Sequence, residues 1–228
     1  MDGLSAAGAD RRLTSAGWEP PSMATTRRVT TVFWDLGGVI LRTQNPERRR
    51  AWEARLGLAE GDLARMVFDG PTSVEAMLGR ASAEDVWVSV GSRLGLNPVD
   101  RDRLRADFFA GDRIDEELMS FVRGLRPRAR VGLISNAWPE VRRLLETTWG
   151  IADAFDPLVL SAEVGLVKPN EQIFHLALER AQVEPAQAAF VDDFLENVSA
   201  ALALGMPSVH FRTSSQARED VEGLLRED

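Results

Sequence analysis

Four short stretches of the sequence place polar residues where an apolar run ends or where a loop meets a proline. The stretches are VFWDLGGV (32–39), GLISN (132–136), EVGLVKPN (163–170) and AAFVDD (188–193). They supply carboxylates, a hydroxyl, an amide and an ammonium group: Asp35, Ser135, Asn136, Lys168, Asp192 and Asp193. An acid nucleophile accompanied by a hydroxyl and a cation is a set suited to phosphoryl transfer.

Each of these groups has a defined role in such a reaction. Asp35 is expected to attack phosphorus and form an aspartyl-phosphate. The hydroxyl of Ser135 and the amides of the glycine-rich turn are expected to hold the phosphoryl oxygens. Lys168 is expected to balance the charge of these oxygens. The predicted substrate-binding residues are a hydroxyl, an amide, the lysine and two glycines of the first turn: Ser135, Asn136, Lys168, Gly37 and Gly38.

The carboxylates also predict a metal site. Asp35 and Asp193 supply hard oxygen ligands of the kind that Mg²⁺ prefers. Gly37 and Gly38 follow Asp35 closely and allow backbone groups to approach a metal or a phosphate. We therefore predict Mg²⁺ as the cofactor.

Five apolar runs of strand length predict the elements that position these groups: 29–36, 129–135, 157–161, 188–193 and 207–211. Nearly continuous apolar character is typical of parallel strands buried on both faces. Helical patterns lie between the later runs, at 139–149, 170–182 and 195–205, with Asn170 as the expected N-cap of the second. Strand alternating with helix predicts an α/β fold with a doubly wound parallel sheet, whose strands end at one shared edge.

The interval between the first two runs is far longer than one crossover helix requires. Its patterns are helical throughout, with N-cap signals at Ser73 and Ser82. After this interval the chain re-enters the core, and its first helix there is predicted at 112–126. At the N-terminus, Met23 is an alternative start of translation. We predict a flexible N-terminal tail at 1–28. A Rossmann-like core is predicted in two segments, 29–44 and 112–228, with an inserted helical cap at 45–111.

The composition limits the function classes. The 228 residues carry a formal net charge of −8, which argues against nucleic acid or an anionic membrane as a partner. The sequence contains no cysteine, which excludes disulfides, thiolate metal sites and a cysteine nucleophile. No apolar segment approaches the roughly 18 residues of a transmembrane helix. We expect a cytoplasmic monomer or homodimer that acts on a small phosphorylated molecule.

The four stretches, taken in order, resemble the motifs of the haloacid dehalogenase (HAD)-like hydrolases, and the resemblance spans residues 29–212. The motifs read WDLGGV, LISN, VKP and FVDDFLEN, and the first is similar to that of a subgroup containing sugar-phosphate phosphatases. The resemblance implies one catalytic residue from each of the first three motifs: Asp35, Ser135 and Lys168. It also implies a Mg²⁺ site of carboxylates and one backbone carbonyl: Asp35, Gly37, Asp193 and, in a supporting position, Asp192.

Gly37 departs from the family pattern, because most phosphatases of the family carry a second aspartate there as general acid and base. General acid–base catalysis contributes about 10²–10⁴ in rate, so the loss matters. A positive φ at Gly37 would in addition make an aspartate costly at this position.

Three functions therefore stay open, in order of preference. The first is a Mg²⁺-dependent phosphatase, either slow or acting on leaving groups that need little protonation. The second is a 2-haloacid dehalogenase, since a halide leaves without a proton. Family dehalogenases use no metal, however, and usually carry a tyrosine at this position, whereas this chain contains no tyrosine. The third is a catalytically weak binding or regulatory protein.

Two further residues have alternative interpretations. Asn197 either orients Lys168 or an acid, or makes a local bond within its helix. Trp138, two residues after the second motif, either packs in the core or lines the pocket.

Overall fold

The structure is a computed structural model that describes residues 28–226, so the predicted tail lies outside the described residues except for its last position. The strands are β1 (Thr31–Trp34), β2 (Leu41–Thr43), β3 (Asp112–Ile114), β4 (Arg130–Ser135), β5 (Leu158–Leu160), β6 (Ala188–Asp192) and β7 (Ser208–His210). The helices are α1 (Glu47–Leu56), α2 (Asp62–Phe68), α3 (Pro71–Met77), α4 (Ala83–Arg93), α5 (Pro98–Phe109), α6 (Glu116–Gly124), α7 (Val141–Arg143), α8 (Ser161–Val164), α9 (Glu171–Ala181), α10 (Leu195–Ala203) and α11 (Ser214–Arg226).

The main sheet is parallel and has the strand order β5-β4-β1-β6-β7. Trp34 at the end of β1 is in register with Leu133 of β4 and Val191 of β6. Asp35 therefore follows the central strand at the same edge of the sheet at which β4 and β6 end. This arrangement confirms the predicted α/β fold with a doubly wound parallel sheet.

Helices cover both faces of the sheet, which explains why the strands are almost continuously apolar. Trp34 belongs to a core cluster shared with Leu118 of α6 and Val221 of α11. Its neighbour Phe33 belongs to a second cluster, which includes Phe174 of α9 on the other face. Because successive side chains of a strand point to opposite faces, β1 anchors both layers and holds the next residue, Asp35, at the edge.

The helices α1 to α5 form a third apolar cluster, which includes Trp52, Trp87, Leu104 and Phe108 and to which Trp138 of the loop after β4 also belongs. The capping box at Ser82 begins α4 as predicted, whereas Ser73 is not an N-cap, because α3 already begins at Pro71. Among residues 28–226, no helix combines the length and the apolar character needed to cross a bilayer.

The strands β2 and β3, which flank the helical region in the sequence, connect it to the main sheet and were not predicted. The two strands pair antiparallel, and the amide of Gln44 donates to the carbonyl of Gly111 at 2.9 Å. The helix predicted at 112–126 is therefore shorter, because Asp115 caps α6 by accepting from the amide of Leu118. Three-residue strands are too short for a period-2 pattern to stand out in the sequence.

Candidate active site

Lys168 lies at the centre of the polar cluster at the carboxyl edge of the sheet. Its Nζ donates to Oδ1 of Asp35 and to Oδ2 of Asp192, both at 2.6 Å. All three residues are buried, and the lysine also lies over the ring of Phe190. The third motif thus reaches the residues of the first and fourth motifs, although it is more than one hundred positions from Asp35 in the sequence.

Asp193 completes the group of acids. One carboxylate oxygen each of Asp35, Asp192 and Asp193 lie within 4.8 Å of one another. Oδ1 of Asp193 is buried and has no hydrogen-bond partner among the described residues. A buried carboxylate oxygen without a partner is costly, so this atom points to a cation as its missing partner.

The glycine turn after Asp35 has two unequal positions. Gly38 has φ of +80°, and a Cβ added there would lie 2.1 Å from Oδ2 of Asp193. Gly37 lies outside the left-handed region, and a Cβ added there would meet nothing within 4 Å. The expected positive φ is therefore wrong for Gly37 and belongs to Gly38, which must be glycine because the Asp193 carboxylate approaches its backbone.

Asp192 is held from several sides. It is fully buried, and its oxygens accept hydrogen bonds from the amide of Phe194 at 2.7 Å and from Nδ2 of Asn197 at 3.0 and 3.1 Å, in addition to Lys168. Of the two interpretations of Asn197, the structure supports the one in which it orients an acid. With its oxygens occupied in this way, Asp192 is better suited to positioning Lys168 than to binding a metal.

Asn136 fixes the backbone of Lys168. Its Oδ1 accepts from the amide of Lys168 at 2.7 Å, and its Nδ2 donates to the carbonyl of the same residue at 2.9 Å. Both ends of this side-chain amide are thus engaged with the backbone of Lys168, and the predicted role of Asn136 in binding substrate stays a prediction. Ser135, the last residue of β4, is buried at the same edge of the sheet.

The protonation of the acids is strongly perturbed. Burial raises the pKa of Asp35 to about 7, with Lys168 opposing the shift and Asp192 adding to it. Burial, together with the charge of Asp192, raises the pKa of Asp193 to about 6. Burial would lower the pKa of Lys168, but the neighbouring Asp35 and Asp192 raise it, so the lysine stays charged. The acids therefore crowd negative charge that one ammonium does not balance.

The loop after β4 joins the helical region to the sheet. Nε1 of Trp138 donates to Oγ of Ser73 in α3 at 3.0 Å, and Oε1 of Glu140 accepts from the amide of Ala83 in α4 at 3.1 Å. Trp138 is buried in the cluster formed by the helices α1 to α5. No sequence pattern predicted these contacts, because the paired residues are 57 and 65 positions apart.

The chain matches known proteins over most of its length. A sequence profile described as haloacid dehalogenase-like hydrolase matches residues 29–205. A D-ribitol-5-phosphate phosphatase of Bacteroides thetaiotaomicron is 25% identical over 210 residues, which cover 86% of this chain and 98% of the relative. A structure described as a predicted HAD-like family hydrolase from Porphyromonas gingivalis has a TM-score of 0.68 and 26% identity, covering 88% of this chain and 99% of that one.

A further structure carries ligands. A HAD family enzyme of Bacteroides thetaiotaomicron, solved in complex with magnesium and inorganic phosphate, has a TM-score of 0.65. It is 21% identical, and the match covers 81% of this chain and 94% of that one. Similarity at this level shows a shared fold.

Proposed function

Because this chain belongs to the haloacid dehalogenase-like hydrolase family, we propose that it is a Mg²⁺-dependent phosphatase acting on a small phosphorylated metabolite through an aspartyl-phosphate at Asp35. Membership of the family confirms the resemblance drawn from the four motifs and the prediction that the protein is a hydrolase. The cytoplasmic location and the monomeric or homodimeric state stay predictions.

The observation that carries the proposal is the placement of Lys168 between two carboxylates beside a third. Three acids and one ammonium leave an excess of two negative charges when all are ionised, and this excess would repel a phosphate dianion. A divalent cation removes the excess and allows the anionic substrate to approach Asp35. The relative named as a D-ribitol-5-phosphate phosphatase supports a phosphate monoester as substrate.

The residues present fit Mg²⁺. Asp35 and Asp193 offer hard carboxylate oxygens, one of which is buried with no partner within residues 28–226. Gly37 is exposed and lies two positions after Asp35. We propose that these three residues hold the ion and that Asp192 supports them through Lys168. When bound, Mg²⁺ supplies charge neutralisation for the phosphoryl group and its nucleophile. The magnesium and phosphate complex of the structural relative supports this assignment.

In the proposed reaction, a carboxylate oxygen of Asp35 attacks phosphorus, and the bond from phosphorus to the leaving oxygen breaks. Ser135 and the amide of Gly37 hold the phosphoryl oxygens, while Lys168 balances their charge and fixes the Asp35 carboxylate through Oδ1. The amide of Gly38, which was also predicted to bind the substrate, instead donates to the carbonyl of Leu41 at 2.9 Å. Water then attacks the phosphorus of the aspartyl-phosphate, which releases inorganic phosphate and restores the carboxylate.

The leaving oxygen must receive its proton from solvent in this scheme, because Gly37 offers no acid. The attacking water must lose its proton in the same way. Leaving groups of low pKa, such as aryl or acyl phosphates, need the least help and are therefore expected to react fastest.

We further propose that residues 45–111 act as a cap over the core formed by 29–44 and 112–228. The support is the separate apolar cluster of α1 to α5 and its docking on Trp138 and Glu140, close after the motif that ends in Asn136. A cap in this place is positioned to select the organic part of the substrate.

The test is a panel of phosphate monoesters assayed with Mg²⁺ and with a chelator, for the wild type and for Asp35→Asn. We expect turnover that requires Mg²⁺ and is lost in Asp35→Asn, which keeps the shape of the side chain but removes its charge. Release of halide from 2-haloacids in the presence of the chelator would instead assign the chain to the dehalogenases. Absence of both phosphatase and dehalogenase activity would favour the third function, a catalytically weak binding or regulatory protein.

A further inference from the structure

An exposed aromatic ring follows the acid pair directly. Phe194 is 63% exposed and its neighbour Leu195 is 61% exposed, at the beginning of α10. The backbone of Phe194 is nevertheless fixed, because its amide donates to Oδ1 of Asp192 at 2.7 Å. The ring is thus held beside the candidate active site while most of its surface faces solvent.

A second exposed ring lies on the other side of the central strand. Phe68 at the end of α2 packs against Trp138, with 5.9 Å between the ring centroids, and against Phe108 at 5.6 Å, yet it remains 38% exposed. Trp138 follows β4, whereas Phe194 follows β6, and β1 lies between these strands. Apolar surface is therefore available on both sides of the strand that presents Asp35.

The turn between these two positions adds no polar side chain. Gly37 and Gly38 lie there, and the space into which a Cβ at Gly37 would project is open to at least 4 Å. A polyol leaving group would need hydrogen-bond partners for its hydroxyls, and an apolar one would not. The exposed rings of Phe194 and Phe68 match an apolar organic group.

We infer that the organic part of the substrate is an aryl or alkyl group, which packs against Phe194 and Phe68 while its phosphate lies at Asp35 and Lys168. This inference rests on the proposed function and narrows its substrate class. Phe194 and Phe68 are then residues that determine specificity, and the exposure of their rings in the free protein reflects surface that the substrate covers.

Phosphonates test this inference apart from catalysis, because they bind as phosphate monoesters do but are not hydrolysed. We would measure, with Mg²⁺ present, the Kd of methylphosphonate, hexylphosphonate and a polyhydroxylated phosphonate of the same chain length. The proteins are the wild type, Phe194→Ala, Phe68→Leu and, as the matched control, Leu202→Ala. Leu202 is 52% exposed on the same helix, about two turns beyond Leu195.

The wild type should bind hexylphosphonate on the order of tenfold more tightly than methylphosphonate, since several methylene groups become partly buried. Phe194→Ala and Phe68→Leu should each reduce this ratio about threefold or more, whereas Leu202→Ala should leave it unchanged. The affinity for methylphosphonate should stay the same in all four proteins.

Three results would overturn the inference. The first is equal affinity for the two alkylphosphonates, and the second is tighter binding of the polyhydroxylated compound. The third is a Phe194→Ala protein in which the ratio of hexylphosphonate to methylphosphonate affinity is unchanged and which sediments as a monomer, whereas the wild type sediments as a dimer. This result would assign the ring of Phe194 to an interface between two copies. Failure of the proposed function can be distinguished from failure of this inference. It would appear as a lack of Mg²⁺-dependent turnover of phenyl phosphate, whatever the phosphonate affinities are.

Discussion

Asp192 and Asp193 are adjacent in the sequence but have opposite surroundings. Asp192 is fully buried and bonded to Lys168, Asn197 and a backbone amide, whereas Asp193 has a buried oxygen with no partner in the part of the chain that the structure describes. Asp192 is therefore bonded within the site, whereas Asp193 is the acid that we propose as a Mg²⁺ ligand. The sequence DD alone does not distinguish them, because the difference arises from residues on other elements.

Amide substitution of each acid should separate these two roles. Asp192→Asn removes a buried charge that pairs with Lys168 and should lower the free energy of unfolding by about 3 kcal/mol. Asp193→Asn, measured without Mg²⁺, should leave it unchanged or raise it, because the ionised form of Asp193 is disfavoured by burial. Denaturant unfolding of both variants in the presence of a chelator checks this prediction. Equal destabilisation by the two variants would contradict it.

Gly37 is the residue at which an acid is missing, and the open space around it allows the acid to be installed. Gly37→Asp should increase kcat/KM by about 10²-fold for alkyl phosphates and much less for aryl phosphates. The measurement is kcat/KM against the pKa of the leaving group for both proteins. The wild type should show a steep dependence that flattens in Gly37→Asp. A flat dependence in the wild type, with chemistry limiting, would mean that another group supplies the proton.

Among the elements, the turn from β1 to β2 is the one whose backbone the Asp193 carboxylate approaches, at Gly38. Gly38 allows this approach through its positive φ, and the open position at Gly37 leaves the neighbouring backbone accessible. The turn is thus a part of the candidate metal site and not only a connection between strands.

Alanine at these two positions provides a matched test. Gly38→Ala should weaken Mg²⁺ binding by about tenfold or more, because the added Cβ would displace the Asp193 carboxylate and L-residues resist this φ. Gly37→Ala meets no neighbouring atom and should bind Mg²⁺ as the wild type does. Isothermal titration with Mg²⁺ measures both affinities. Similar losses in the two variants would show that the Asp193 contact does not govern the site.

The elements also show how far the sequence predicts this molecule. The buried strands and the long helices α9 and α10 follow from continuous apolar runs and helical spacing, and the motif order predicts the family. The pairing of β2 with β3 was missed, because short strands carry little pattern. The capping role of Ser73 was misjudged, because Pro71 already begins α3. The bonds of Asn136 to the Lys168 loop were missed because they join residues 32 positions apart.

In the whole molecule, the candidate site is a cluster of charged groups at the edge of the main sheet. Helices cover both faces of this sheet, and α1 to α5 contact the loop after β4 beside it. The folded protein holds Asp35 and Asp193 at pKa values of about 7 and about 6, above the ordinary value of 3.8. Proton binding by these acids therefore stabilises the protein below about pH 4, and this contribution is lost as the pH rises through 6 and 7.

Stabilisation by Mg²⁺ should consequently depend on pH. The ion binds the ionised acids, so the increase in Tm on adding Mg²⁺ should be larger at about pH 8 than at about pH 5.5, where protons compete. Thermal unfolding with Mg²⁺ or with a chelator at both values measures the two increases. Asp193→Asn serves as the control and should show a small increase at either pH. An increase that is larger at the acidic value would contradict this account of the site.

We expect Asp35 to become phosphorylated during turnover. Without an acid at position 37 to activate water, the aspartyl-phosphate should break down slowly and accumulate. The direct measurement is mass spectrometry of peptides from protein quenched in acid during turnover of phenyl phosphate. We predict that the peptide containing Asp35 gains one phosphoryl group when Mg²⁺ is present and none with a chelator or in Asp35→Asn. Turnover without a phosphoryl group on Asp35 at any quench time would rule out the aspartyl-phosphate at Asp35. A phosphoryl group on another residue would rule it out as well.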